Sequence, residues 1–222
     1  MGRYHVESSR VRYLDHDERE RLLQALDERD HEIRASRTKA NEWREERGYD
    51  LLPDLSAAAH ADHLRPIVLL AMETGARRGE LLSLRWEDVD FDASTLTIHA
   101  QASKSGRARN IPLSRRAREL LRGWQDDRAT NEGLVFPSPV TEERLDNITS
   151  AWENLRERAH LEDFRFHDLR HDFASRLVMR GVDLYTVKEL LGHSTVQMTE
   201  RYSHLAPDAK RAAIAALDDA HS

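Results

Sequence analysis

The sequence predicts a mainly α-helical fold with one small antiparallel β-sheet, an α+β arrangement. Three observations predict it. Apolar residues recur at helical spacing through most of the chain, the period drops to 2 only around residues 95–113, and glycines or prolines punctuate the periodic segments. With 33% charged and 6% aromatic residues, the composition is that of a helix-rich globular chain. Its 222 residues allow one large domain or two small ones at ~150 residues each.

The elements follow in order. Asp15 caps a first helix over 16–28, with Leu22, Leu23 and Leu26 on one face. A second, highly charged helix is expected over 30–47, with Ile33, Ala40 and Trp43 as its packing stripe and Gly48 as its stop. Residues 63–74 read as a buried helix closed by Gly75, and 77–85 as another carrying Leu81, Leu82 and Leu84. Thr95-Leu96-Thr97-Ile98-His99 alternates like a half-buried strand, and Asn110-Ile111-Pro112-Leu113 pairs with it across a turn at Ser105-Gly106. Ser114 caps a helix reaching about Gln125, and Leu134-Val135-Phe136 is a short strand stopped by Pro137. Helices are expected over 147–159, 167–180, 184–191, 196–202 and 207–217, with Pro207 at a helix start.

Composition excludes several classes of function. The absence of cysteine rules out a disulfide scaffold, a thiolate metal site and a cysteine nucleophile. The longest wholly apolar run, Ile67 to Met72, is six residues, far short of a membrane-spanning helix. Residues 1–12 lack a secretory apolar core, so the expected compartment is the cytoplasm. The formal charge of −6 argues at first against a nucleic-acid partner, but it is unevenly spread. Residues 1–60 carry −3, 61–125 carry +3 and 126–222 carry −6, with a basic island of +6 over 101–125. Of the 34 basic residues only four are lysines, and one of them, Lys104, sits in that island's turn.

Six residues at helix boundaries and turns carry candidate chemistry. Arg77 opens a helix just after Thr74-Gly75-Ala76, where free N–H groups and the helix dipole also favour an anion. His167 and Arg170 share a helix face at i and i+3. Arginines grip phosphate oxygens in bidentate fashion, Lys104 can release a proton, His167 and His193 can exchange one near neutrality, and Tyr202 can attack as a phenolate. Together they make a phosphate-attacking site without a metal. His167 and His171 have metal-ligand spacing, yet no third ligand stands beside them in the sequence. Taken singly, each residue has an ordinary reading: Arg77-Arg78 as a solvated pair, Tyr202 as a packing tyrosine. Joint spacing outweighs those readings.

That spacing resembles the catalytic domain of tyrosine recombinases of the phage-integrase type. Thr74-Gly75-Ala76-Arg77-Arg78-Gly79-Glu80-Leu81-Leu82-Ser83-Leu84-Arg85-Trp86 is similar to the first arginine box, and Ser103-Lys104-Ser105-Gly106-Arg107-Ala108-Arg109-Asn110-Ile111-Pro112-Leu113 to the lysine-bearing hairpin. His167-Asp168-Leu169-Arg170-His171 resembles the His-x-x-Arg box and Leu191-Gly192-His193-Ser194 the Leu-Gly-His box, with Tyr202 nine residues beyond His193. The resemblance spans Arg12 to Leu217. It implies a DNA breaking-rejoining catalytic domain over 1–222 whose N-terminal core-binding domain is absent, hence a piece of a longer bacterial or phage-encoded integrase. The stretch from Glu28 to His60 is longer than the minimal family pattern.

The resemblance further implies a site-specific recombinase that cleaves and rejoins double-stranded DNA attachment sites through a 3′-phosphotyrosyl intermediate, with no metal, ATP or other cofactor. Tyr202 would be the nucleophile, Arg77 and Arg170 the phosphate clamp, Lys104 the general acid, His167 the aid to proton removal from Tyr202, and His193 a phosphate hydrogen-bond donor. Glu80 would hold Arg77 in place, while Arg107 and Arg109 would face DNA phosphates. The family works as a tetramer on two duplexes, with a monomer expected in the absence of DNA and no membrane partner. The apolar tail 207–220 fits docking either on its own domain or on a neighbouring protomer. Competing readings are a type IB topoisomerase-like nickase-resealer, a DNA-binding regulator that has lost catalysis, and a purely structural helical module.

Overall fold

The computed structural model describes residues 11–100, 106 and 108–207. Over these residues the chain is mainly helical, with a single three-stranded sheet. Helix α1 (His16–Glu45) starts at a reciprocal cap: the Asp15 carboxylate accepts from Glu18 N–H at 2.7 Å and the Glu18 carboxylate accepts from Asp15 N–H at 3.1 Å. It runs through the point where two helices were expected. No glycine or proline interrupts 16–45, and buried Asp30 faces Arg65 across the expected break. Only its first half packs on the core, through Leu22, Ala25 and Leu26. Its outer half carries a return strap over 50–59, held by main-chain carbonyls: Arg34 donates to Leu55 and Ala58, Arg37 to Pro53, and Asn41 exchanges two bonds with Leu52. This hairpin-like arm accounts for the unassigned stretch between Glu28 and His60. Its return is pinned where the Asp127 carboxylate accepts from the N–H groups of Ala59 and His60.

Helix α2 (Leu64–Thr74) is buried along nearly its whole length and ends at Gly75, which is left-handed at φ 63°. A side chain at 75 would be doubly penalised, because a Cβ would lie 2.5 Å from the Phe173 ring. Helix α3 (Arg78–Leu82) is shorter than the expected 77–85 and passes into a 3-10 turn over Trp86–Asp88. Strands β1 (Val89–Asp90), β2 (Thr95–Ile98) and β3 (Arg109–Pro112) form the antiparallel sheet in the order β1-β2-β3, with Leu96 opposite Ile111 and Ile98 opposite Arg109. The two-residue β1 was not foreseen. Conversely, the strand expected at 134–136 makes only an isolated bridge from Leu134 to Arg85.

Helix α4 (Arg115–Arg128) begins at the Ser114 cap and runs one turn past its expected end, followed by α5 (Thr149–Arg158). The last third comprises α6 (Asp168–Met179), α7 (Leu184–Leu191) and α8 (Gln197–Glu200), the last covering only part of the expected 196–202. The main core gathers α1, α2, the sheet, α4 and α5, while a second cluster of Phe173, Val178, Val187 and Leu191 surrounds Tyr202. No helix among the described residues is long and apolar enough to cross a membrane.

One buried carboxylate ties the N-terminus to α6. Asp172 is 0% exposed, accepts from Leu14 N–H at 3.2 Å, and pairs with Arg19 at 2.7 Å and Arg176 at 3.1 Å. Removing one member of such a cluster strands the others, at a cost of roughly 3–5 kcal/mol. Asp172→Ala is therefore expected to lower unfolding free energy by about 3 kcal/mol or more, read as a reduced urea midpoint at unchanged slope.

Candidate active site

Local chain chemistry sets each side chain at a helix end. Arg77 occupies the extended cap position before α3, and Glu80, one turn later, takes its backbone N–H at 2.8 Å and its Nη1 at 2.8 Å. The expected Glu80–Arg77 pairing is thus present. His167 and Arg170 sit on the first turn of α6, and Arg170 reaches across to donate to Gly75 O at 2.8 Å and Leu191 O at 2.5 Å. Gly192, left-handed at φ 65°, ends α7 and turns the chain so that His193 Nδ1 meets Thr199 Oγ1 at 2.8 Å. Tyr202 follows α8, and its hydroxyl lies 2.6 Å from His171 Nδ1.

These turns converge on one cleft of about 880 Å³, lined by Arg77, His167, Arg170, His171, His193 and Tyr202. Residues more than 120 positions apart in sequence share its wall. Arg78, Arg165 and Arg201 line it as well, so five guanidinium groups surround the cavity. No third His, Cys, Asp or Glu among the described residues joins His167 and His171 in a metal-holding group.

Burial and positive charge act together on the titrating groups. Desolvation, reinforced by Arg170, pushes His167 below its ordinary value. His171 is pushed down to about 4 by burial and by His167, and His193 to about 3 by burial, Arg170 and Arg77. Both are neutral at pH 7. Burial raises the Tyr202 phenol to about 12, so it keeps its proton at rest beside the neutral His171 ring. Arg170 falls to about 9 through burial and the nearby Arg77 and Arg109, which still leaves it charged at pH 7. Burial would raise the Glu80 carboxyl, but hydrogen bonds and charge from Arg109 and Arg77 hold it below the usual range.

Residues 45–208, which include every group in this cleft, match the phage integrase family. The chain belongs to that family. It is 33% identical over 156 residues to the integrase of Salmonella phage P22, covering 65% of this chain and 40% of that protein. It is 36% identical over 137 residues to the shufflon-specific DNA recombinase of Escherichia coli, covering 61% and 33%. Against these two relatives the chain therefore spans only about a third to two fifths of their length. Among solved structures, the catalytic domain of bacteriophage HP1 integrase matches at a TM-score of 0.63 and 25% identity, covering 92% of this chain and 94% of that one. The XerA recombinase matches at a TM-score of 0.63 and 25% identity, covering 90% and 61%. The fold is that of tyrosine recombinase catalytic domains.

Within this integrase-family chain, the cleft gathers Arg77, His167, Arg170, His193 and Tyr202 as the spacing suggested. Lys104, Arg107 and all of the tail 207–220 except Pro207 lie outside the described residues. Two contacts bear on the expected roles. Arg109, expected to face DNA phosphate, is 9% exposed and turned inward, with both terminal nitrogens bonded to Glu80. The hydrogen-bond partner of the Tyr202 hydroxyl is His171, whereas His167 was expected to assist it. The ring planes of the two histidines are nearly perpendicular, with centroids 5.3 Å apart. In the sequence, His171 stands out only by its metal-ligand spacing. Its spacing at i+4 from His167 was the available signal for a shared site.

The depressed histidines make stability pH-dependent with a definite sign. In the unfolded chain they protonate near 6.5, in the fold only near 4 and 3, so the unfolded state binds more protons between these values. Their contribution is fully present above about pH 6.5 and is lost as pH falls toward 4, by up to about 1 kcal/mol per pH unit for each ring. Urea unfolding from pH 7 to 4.5 is expected to show this loss, and His193→Gln should flatten the slope.

Proposed function

We propose that this chain carries the catalytic centre of a site-specific DNA recombinase that cleaves and rejoins strands through a covalent 3′-phosphotyrosyl intermediate. The carrying observation is the hydrogen-bonded Tyr202–His171 pair beside Arg77, Arg170 and His193 in one basic cleft. Arg77 and Arg170 bind the non-bridging oxygens of the scissile phosphate, and neutral His193 donates a further bond from its free ring nitrogen. Tyr202 attacks phosphorus as its proton passes to His171 Nδ1, and the bond to the 5′ oxygen breaks. The incoming anion favours this transfer, because its negative charge raises the affinity of His171 for a proton. Lys104 supplies the proton that the departing 5′ oxygen needs.

The bond energy held in the phosphotyrosine permits rejoining to another strand's 5′-hydroxyl, so the chemistry runs without ATP or a metal. P22 integrase and the shufflon recombinase, as relatives, support this reading, and the XerH recombinase bound to its difH substrate, as a structural neighbour, supports DNA as the partner. Work on two duplexes calls for a tetramer on DNA, with the 207–220 tail docking either in cis or in trans.

Two experiments test the assignment. Incubation with a pool of nicked duplexes of randomised sequence is expected to yield an SDS-stable protein–DNA adduct, which Tyr202→Phe eliminates while DNA binding stays within about threefold of wild type. An adduct surviving that substitution would remove Tyr202 as the nucleophile. Lys104→Ala is expected to slow cleavage by about 100-fold or more, the range of general acid catalysis, with recovery on DNA bearing a 5′-bridging phosphorothiolate, whose leaving group needs no proton. Absence of recovery counts against Lys104 as the acid.

A further inference from the structure

Arg109 stands at the start of β3, five positions after Lys104 in the sequence, and its side chain enters the protein. Nη1 and Nη2 bond Glu80 Oε1 and Oε2 at 3.0 and 2.7 Å, a two-point grip, while Nε donates to Leu190 O at 3.0 Å. Arg77 has one side-chain bond to the same carboxylate, 2.8 Å from Nη1 to Oε1, so its guanidinium retains free N–H groups. It is also the more exposed of the two, at 18% of its side chain against 6% for Arg109, and it lines the cleft.

Charge counting gives this arrangement a consequence. Arg77 with Glu80 alone sums to zero, and an arginine already neutralised by a buried carboxylate is a poor holder of an anion. Adding Arg109 restores one positive charge to the trio, and the geometry leaves that charge on the side facing the cleft. Arg170, whose mapped bonds go to main-chain oxygens, adds a second. The pair matches the two negative charges of a pentavalent phosphorane better than one guanidinium would. Arg109 also fills the space beside Gly192, where a Cβ would lie 2.9 Å from Arg109 Cδ, and thereby packs under the turn that presents His193.

We propose that Arg109 is a positioning residue that satisfies Glu80 and so frees Arg77 to bind the phosphate, while Glu80 keeps Arg77 aimed. The inference rests on reading the cleft as a phosphodiester site. It assigns Arg109 a role in the reaction without contact to DNA.

The test titrates inorganic phosphate into the folded protein and follows the His193 ring by NMR, comparing Arg109→Gln, Arg109→Lys and Arg109→Gln with Glu80→Gln. Arg109→Gln is expected to weaken phosphate binding about tenfold or more. Arg109→Lys, which keeps the charge, should stay within about threefold of wild type. The double substitution should recover most of the lost affinity, because no buried carboxylate remains to capture Arg77; a packing defect alone would not be repaired that way. If Arg109→Gln does not fold, the Lys variant and the double variant carry the comparison. Wild-type affinity in Arg109→Gln, equal losses in the Gln and Lys variants, failure of Glu80→Gln to restore binding, or no phosphate binding in wild type would each overturn the proposal. Adduct formation on nicked DNA is scored in parallel. Adducts with phosphate binding indifferent to Arg109 overturn this inference alone, and Arg109-dependent phosphate binding without adducts overturns the recombinase reading alone.

Discussion

Arg170 is a buried guanidinium whose mapped partners are two main-chain carbonyls, Gly75 O at the end of α2 and Leu191 O at the end of α7. Helix C-termini carry partial negative charge, so both carbonyls suit a cation. Through them one side chain holds three segments in register: the turn before Arg77, the first turn of α6 with His167 and His171, and the turn that presents His193. The left-handed glycines at 75 and 192 make this possible, since each ends its helix abruptly next to the carbonyl that Arg170 uses. Without this cation the cleft would lose its common reference point.

The electrostatic state of the cleft follows from the same packing. Burial is the main reason that His171 and His193 are neutral and that Arg170 is depressed, and the neighbouring charges, from Arg170 and Arg77 on His193 and from Arg77 and Arg109 on Arg170, add to it. In the proposed function, a bound phosphate would bring negative charge to this basic cleft and raise the proton affinity of its histidines. The net charge of −6 is compatible with this, because the acidic excess lies toward the two ends of the sequence while the cleft's charge is local.

The fold and the site were legible to different depths. Where a boundary is made by a local device, the sequence and structure agree: the Asp15 and Ser114 caps, Gly75 and Gly192 as helix ends, and the alternating run through β2. Where no local device exists, they diverge. Nothing between 16 and 45 stops a helix, and the apparent break near Arg29 reflected a change of environment from core to arm rather than of conformation. Strand β1 is two residues long and exists through its pairing with Leu96 and Thr95. The 134–136 segment reads as a strand by composition, but it forms only an isolated bridge to the 84–86 turn, with Val135 N–H donating to Leu84 O, while it also contacts the Trp124 side chain of α4.

By itself the sequence determined the inventory of candidate site residues and its order along the chain, because helix caps, i to i+3 pairs such as Arg77–Glu80, and the phosphate-binding chemistry of the residue types are all local properties. Tertiary structure alone decided which members of that inventory meet. Tyr202 lies 31 residues from His171 and 35 from His167, and the packing of α6 against the turns after α7 and α8 put the former on its hydroxyl. Arg109 lies 29 residues from Glu80, and the inward direction of the first residue of β3 turned a presumed DNA contact into the partner of a buried carboxylate. The physical reason is common to both: periodicity places a side chain on a face, whereas the neighbour it finds there depends on how separate elements pack.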